Sequence, residues 1–382
     1  MNAPPPLIDL LGARWRLGAP VAALAWTRGE AGRALAGFIL GDGTLAMAPG
    51  AWEGAPTLEE RAGGRITLVP GAPDKQRPPL ARLAVHRGAG LALAGDTEGG
   101  FLSGGEDGRF VLVSADGAVR LLAEFSGLRV EKVAAGGPWR ACAAGRPWRA
   151  CAAGGAVHVF GAAPARIDLP GPAQALSFDP GGEFLAVGHA GGVSLWQAGR
   201  PVRRLESAGR VCALAWSPDG RLLAAALEDG RLVGWRLADG ARFEFARKGE
   251  PALSLSVADH WLAASGGAQV ACWDLARPGS AALPCGLVAT RAPLSHVAWH
   301  PVKGPIAAAY RNGAVLLCQP ESDEALFVRA APAAPLRGLA WSADGDFLAL
   351  GSDDGEAAMV SLPPLLFRGR PAAEQASLRN SA

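Results

Sequence analysis

Between Val211 and Gly240 the chain reads VCALAWSPDGRLLAAALEDGRLVGWRLADG. Three short apolar runs are each closed by an Asp-Gly pair, at Asp219-Gly220, Asp229-Gly230 and Asp239-Gly240. Asp-Gly between alternating apolar residues is a strong hairpin signal, because both central positions of a tight turn tolerate positive φ. Strands this close together leave no room for the crossover that a parallel pair needs, so they form an antiparallel meander. The pattern returns at Ala173–Gln197 (AQALSFDPGGEFLAVGHAGGVSLWQ) and at Leu336–Leu362 (LRGLAWSADGDFLALGSDDGEAAMVSL). The chain is a repeat array.

The turn between second and third strands gives the register. Its glycines fall at Gly43, Gly108, Gly155, Gly192, Gly230, Gly267, Gly313 and Gly355. Their mean spacing of about 45 residues matches a four-stranded propeller blade. Repeat one (Val21–Pro49) is followed by an insertion over about 50–80, expected as a surface excursion. Repeat two spans His86–Gly117. Repeat three carries PWRACAAG twice, as Pro138–Gly145 and Pro147–Gly154. The nine-residue shift changes strand parity, so both copies cannot fill equivalent positions on one face. One copy should be looped out or bulged; the alternative is a dedicated binding loop. Repeats four to eight follow from Ala173 to Leu362. Fourth strands are weaker, as in PVRRLES and ARFEFAR. The last repeat lacks one, while an unclaimed strand, ARWRLG (Ala13–Gly18), precedes the first. Pairing the two closes a ring and removes both exposed edges. The expectation is an all-β closed propeller of four-stranded antiparallel blades over 20–362. Eight blades are favoured, with seven if repeat one is a decoration. Residues 1–19 supply the closing strand, and 363–382 form a flexible tail.

The forms WSPDG (Trp216–Gly220), WSADG (Trp341–Gly345), FDPGG (Phe178–Gly182) and CWDL (Cys272–Leu275) resemble WD40 repeats. The resemblance recurs in register over about 20–362. More narrowly, the eight-repeat layout with GWRLADG (Gly234–Gly240) is similar to a bacterial WD40 family, which implies no particular activity. A true Trp-Asp pair closes one repeat, Trp273-Asp274; elsewhere the slot holds Trp196-Gln197, Trp235-Arg236 or Cys318-Gln319. The family's Gly-His pair is echoed only by His86-Arg87-Gly88. The Asp–His–Ser/Thr–Trp network that the resemblance implies therefore cannot form in most blades, and stability should rest on apolar packing between them. Trp26, Trp216, Trp299 and Trp341 fall in first strands, and Trp196, Trp235 and Trp273 in third strands. They read as blade-to-blade core rather than ligand platforms.

Composition narrows the function classes. Of 382 residues, 49% are apolar and 19% charged, so a large core is easily buried. With 37 basic against 35 acidic residues, nothing suggests a polyanion, and nucleic acid is not an expected partner. The six cysteines, at 142, 151, 212, 272, 285 and 318, form no Cys-x-x-Cys pair, and four lie in strand-like apolar runs. No signal peptide and no run of the ~18–20 apolar residues needed to span a membrane are evident. The expectation is a reduced, cytoplasmic chain with no membrane partner, its oligomeric state left open and a monomer favoured.

Chemical motifs are scarce. There is no nucleophile elbow, phosphate loop, dinucleotide fingerprint or zinc-type Cys/His spacing. His296 and His300 stand four apart, but SHVAWHP alternates as a strand, which separates them by roughly 13 Å. No catalytic residue, metal ligand or cofactor is assigned. A channel-centred propeller hydrolase or metal-dependent lactonase is the alternative class, since such sites draw residues from several blades. The first-strand positions that would line a channel are mostly Ala, Gly, Leu and Ser. Glu228-Asp229 and Asp353-Asp354 fit turn chemistry.

What remains is the surface. The residue after the first apolar position of the first strand is Glu131, Gln174, Cys212, Ser295 and Arg337 in successive repeats, with Arg129 and Arg210 just ahead of it in two. In the resembled family the loop-bearing face is the usual contact surface, and Arg is enriched in interface hot spots. Arg129, Glu131, Gln174, Arg210, Ser295 and Arg337 are thus the candidate protein-binding rim, with loop solubility as the plain alternative. The leading expectation is a non-enzymatic scaffold for a protein or peptide partner.

Overall fold

The computed structural model describes residues 5–61, 65–71, 77–136, 148–161, 164–197, 200–245, 250–277, 281–285, 290–302, 304–320 and 325–367. Within them the meander read from Val211–Gly240 forms one antiparallel sheet, Val211–Trp216, Leu222–Leu227, Leu232–Arg236 and Arg242–Phe245, paired in chain order. Seven further four-stranded sheets repeat it. Their first strands are Val21–Arg28, Gly90–Gly95, Val130–Gly136, Ala175–Phe178, Leu255–Ala258, Leu294–Trp299 and Leu336–Trp341. Each first strand packs on the first strand of the next blade, and the last packs on Val21–Arg28, so the ring closes with eight blades. Repeat one is a full blade, which sets seven aside. Its insertion interrupts the path between its third strand, Thr44–Pro49, and its fourth, Ala81–Ala84, without replacing either.

Blade eight takes its fourth strand from the N-terminus. Gly12–Arg16 pairs antiparallel with Glu356–Ser361, from Gly12 opposite Val360 to Arg16 opposite Glu356. A one-turn helix, Leu7–Leu11, leads into it and buries Ile8 and Leu11 against blades seven and eight.

The apolar residues gather in eight clusters, one at each seam between neighbouring blades. Burial on both faces explains this. A blade's inner strands are covered on both faces by neighbours, so both faces carry apolar side chains, as in LLAAAL (Leu222–Leu227). Trp235 and Trp273 are the largest fully buried side chains. First-strand tryptophans clasp adjacent blades: the indole N–H of Trp26 donates to the Ala340 carbonyl (2.9 Å), Trp341 to Ala298 (3.0 Å) and Trp216 to Ser177 (3.3 Å). In blade seven the Trp299 ring nitrogen has no partner among the described residues; a bond to the preceding blade runs from its backbone N–H to Ser256 Oγ instead (2.8 Å).

The insertion holds a hairpin, Thr57–Arg61 with Arg65–Val69, whose opposed Leu58 and Leu68 pack on the seam between blades seven and eight. It is anchored to the ring by its apolar face. In blade three the second PWRACAAG copy supplies the second strand, Trp148–Ala153, paired on both sides. The first copy, Pro138–Gly145, lies outside the described residues. After the last strand, Pro364–Phe367 makes a 3-10 turn, and the Phe367 ring stands 6.4 Å from Trp341 and 5.8 Å from His300. The rest of the expected tail, 368–382, lies outside the described residues.

Candidate binding rim

In five blades the first strand enters through a stitched pair of loops. The backbone N–H that opens the second-to-third-strand turn donates to the carbonyl just ahead of the first strand. The pairs are Gly41 to Pro20, Glu106 to Ala89, Glu228 to Arg210, Arg311 to Pro293 and Asp353 to Pro335, at 2.8–3.0 Å. Carbonyls deeper in the same turns accept from the start of the inter-blade loop, as Gly108 does from Phe125 (2.9 Å) and Asn312 from Ala333 (3.0 Å). The two loop sets are therefore one continuous surface. The turn glycines make the close approach possible. At Gly313, φ is +83° and an added Cβ would lie 2.3 Å from the Ala333 carbonyl oxygen. Blade six departs from the expected register, because its positive φ falls at Gly266 rather than Gly267.

The same end of the first strand carries a β-bulge. The register slips between Val21 and Ala23, Gly90 and Ala92, Val130 and Lys132, Val211 and Ala213, Leu294 and His296, and Leu336 and Gly338. The residue set out of the ladder is Ala22, Leu91, Glu131, Cys212, Ser295 or Arg337. In blade four Gln174 behaves alike: its N–H donates to the Gly188 carbonyl (2.8 Å), although Ala175 is the register partner of Gly188. Bulges re-aim side chains at the ends of sheets. The residues singled out by sequence register are thus the ones the backbone takes out of pairing.

Their surroundings differ. Glu131, Arg129, Arg210 and Arg337 are exposed and Gln174 is half-buried, whereas Ser295 is 8% exposed, its hydroxyl donating to the Ala309 carbonyl (3.2 Å). Ser295 shapes the rim from beneath. All three arginines pair with carboxylates of the adjoining turns: Arg129 with Glu106 (3.4 Å), Arg210 with Glu228 (3.2 Å) and Arg337 with Asp353. Such exposed pairs are worth about 0–1 kcal/mol, so a partner's charges can replace them at little cost. Sequence reasoning passed over these three carboxylates, reading two of them as turn chemistry alone. It also passed over Leu253, which occupies the blade-six position and is 60% exposed. The register count that found Arg337 would have found Leu253.

Blade two assembles a buried polar network in the same loops. His86 Nδ1 donates to Asp107 Oδ1 (3.0 Å), and its Nε2 lies 2.8 Å from Ser103 Oγ. Asp107 also accepts the N–H groups of Arg87 (3.0 Å) and Arg109 (3.1 Å). Burial holds the His86 imidazole below its ordinary value against the opposing pull of Asp107, so it is neutral at pH 7. The third strand here, RFVLV, offers no Trp to complete the network.

The opposite ends of the first strands enclose a cleft of about 430 Å³ between blades eight, one and two, lined by Trp26, Thr27, Arg28, Asp96, Thr97 and Asp344 among others. Asp96 is committed to a salt bridge with buried Arg149 (2.7 Å), and Asp344 accepts from Ser342 (2.5 Å). His296 lies in a strand and His300 just beyond it, its ring edge-on to Trp341 at 4.8 Å. Among the described residues no group of three His, Cys, Asp or Glu side chains could hold a metal ion, and no helix is long and apolar enough to cross a membrane.

Ring, blade and loop geometry define the class: an eight-bladed β-propeller. Residues 199–236, in blades four and five, match the family model described as "WD domain, G-beta repeat". In structure the chain is similar to Sqt1 from Chaetomium thermophilum, at 18% identity over 90% of this chain and 95% of that one, with a TM-score of 0.65. It is also similar to a chain of the mitotic checkpoint complex (17% identity, 71% and 86% covered, TM-score 0.58). The WD40 repeats of RRP9 are a third neighbour (13% identity, 92% and 97% covered, TM-score 0.55). Comparison with curated proteins gave no match in sequence. At these identities the likeness establishes the fold.

Proposed function

We propose that the chain is a non-enzymatic interaction platform that binds a protein or peptide partner on the face bearing the bulges and stitched loops. One observation carries the reading. Equivalent positions at the head of the first strands present different chemistry from blade to blade, with an acid at Glu131 and a guanidinium at Arg337 on bulges, an amide at Gln174 and an exposed apolar group at Leu253. A constant frame with variable side chains is how a rigid scaffold encodes specificity for one partner. One structural neighbour, the chain from the mitotic checkpoint complex, is itself part of a protein assembly, which supports a protein as the partner class. The cysteines among the described residues are free thiols, which fits a reducing, cytoplasmic setting, with the chain a monomer until it meets its partner.

The test replaces Arg337, Arg210 and Glu131 together with alanine and compares affinity capture from the source cells with that by the natural chain. All three side chains are exposed, so the thermal midpoint should be unchanged while the specifically captured partner is lost. A folded triple variant that captures the same partner in the same amount refutes the assignment of the rim. The hydrolase or lactonase alternative has no supporting observation among the described residues.

A further inference from the structure

The seam between blades six and seven buries three cysteines, Cys272, Cys285 and Cys318, each 4% exposed or less. Cys272 lies in the third strand of blade six, Val270–Asp274, and Cys285 ends the fourth, Leu283–Cys285. In the ladder Cys285 stands opposite Val270 and Cys272 opposite Leu283, so the two are diagonal neighbours on one face. Their sulfurs lie 2.7 Å apart. Cys318 is turned elsewhere, with its Sγ 3.7 Å from the Ile306 carbonyl oxygen.

The strand that carries Cys285 is the least secured part of the blade. It is three residues long, and its middle residue, Pro284, has no N–H to give the ladder. As the outermost strand it has a neighbour on one side only, apart from an isolated bridge between Cys285 and Pro320. Local opening of such an edge needs far less free energy than unfolding the ring, and it would expose both thiols at once.

We propose that Cys272 and Cys285 form a redox-active dithiol that closes to a disulfide, stapling the outer strand of blade six to its neighbour. With a hydroperoxide as oxidant the chemistry balances in two steps. One thiol gives up its proton and attacks a peroxide oxygen; the O–O bond breaks, a sulfenic acid forms, and the displaced hydroxide takes that proton and leaves as the first water, or as an alcohol from an alkyl peroxide. The second thiol attacks that sulfenic sulfur, the S–S bond forms, and the sulfenic hydroxyl leaves as water with the thiol proton. Two thiols are oxidised by two electrons and the peroxide is reduced. A dithiol reductant reverses the change by thiol–disulfide exchange. The pairing is selective by position, because Cys272 and Cys285 already touch each other and Cys318 touches neither sulfur through a hydrogen bond.

The experiment treats the purified full chain with hydrogen peroxide, blocks the remaining thiols and maps peptides by mass spectrometry without reduction. A cross-link between the Cys272 and Cys285 peptides is expected, with loss of two titratable thiols and recovery of both on adding dithiothreitol. Cys318→Ser should retain the cross-link. Cys272→Ser and Cys285→Ser should each abolish it, and folding of either variant is verified from its circular dichroism. An unchanged thiol titre in the peroxide-treated natural chain, or a cross-link from either residue to Cys318 instead, overturns the proposal.

Discussion

Replacing Asp107 with alanine tests the claim that the second-to-third-strand turn of blade two is held by a buried polar network while that of blade five rests on turn chemistry at the surface. The Asp107 side chain is 10% exposed and His86 is fully enclosed. Without the carboxylate, the Arg87 N–H can turn to water, since it lies at the surface. The imidazole cannot. A lost hydrogen bond costs about 1 kcal/mol net, and a buried donor left without an acceptor costs about 1–3 kcal/mol more, so Asp107→Ala should lower stability by about 3 kcal/mol. The matching turn residue of blade five is Asp229, which has no histidine partner. It accepts from the Arg231 backbone N–H (3.0 Å) and guanidinium (2.8 Å), and its side chain is 46% exposed. Water replaces those contacts, so Asp229→Ala should cost under about 1 kcal/mol. Equilibrium urea unfolding of both variants measures the difference. A double-mutant cycle of Asp107→Ala with His86→Ala should add a coupling of about 1–2 kcal/mol. Equal losses in the two blades, or strict additivity of Asp107 and His86, would refute the reasoning.

Two further outcomes follow from the same geometry. Gly313→Ala should destabilise by about 2–3 kcal/mol, since it strains a φ of +83° and drives a methyl into the Ala333 carbonyl. Gly18→Ala, at φ +82° with nothing within 4 Å, should cost only the backbone strain of about 1 kcal/mol; equal thermal midpoints for the two variants would show that the loop contact contributes nothing. Stability should also fall on acidification. Burial lowers the pKa of His86, His158, His296 and His300 from the ordinary 6.5, so the folded chain binds fewer protons than the unfolded one just below that pH. Their contribution is complete above about pH 6.5 and is lost as the pH drops through that value toward the depressed folded ones. A thermal midpoint that stays flat or rises between pH 7 and pH 5 would contradict this.

Much of the architecture was legible along the chain because its cause is local. Asp229-Gly230 closes a hairpin whatever surrounds it, and repetition of that signal gives the period of the blades. ARWRLG could be assigned to the last blade because one strand was missing and one was spare. The tryptophans of the first strands could be read as core from their place in the repeat. What each one touches could not, since Trp26 bonds a carbonyl 314 positions away, a contact that exists only once the ring has closed.

The rim divides in the same way. Periodicity placed Glu131, Cys212, Ser295 and Arg337 at one level, but the bulge beneath them is a relation between two strands, and one strand's residues do not encode it. Ser295 and Arg337 are equivalent in register, yet Ser295 is buried with its hydroxyl on the Ala309 carbonyl, while Arg337 is exposed and salt-bridged to Asp353. The meeting of Cys272 and Cys285, thirteen positions apart, likewise depends on the register between two strands. By itself the sequence determined the repeat, its period and the closing strand, because turn chemistry and alternation act over a few residues, while the choice of eight blades over seven waited on the closed ring. Tertiary structure alone decided the bulges, the ion pairs of the rim, the His86 network and the thiol pair. Each of those is set by groups brought together only when strands and blades pack.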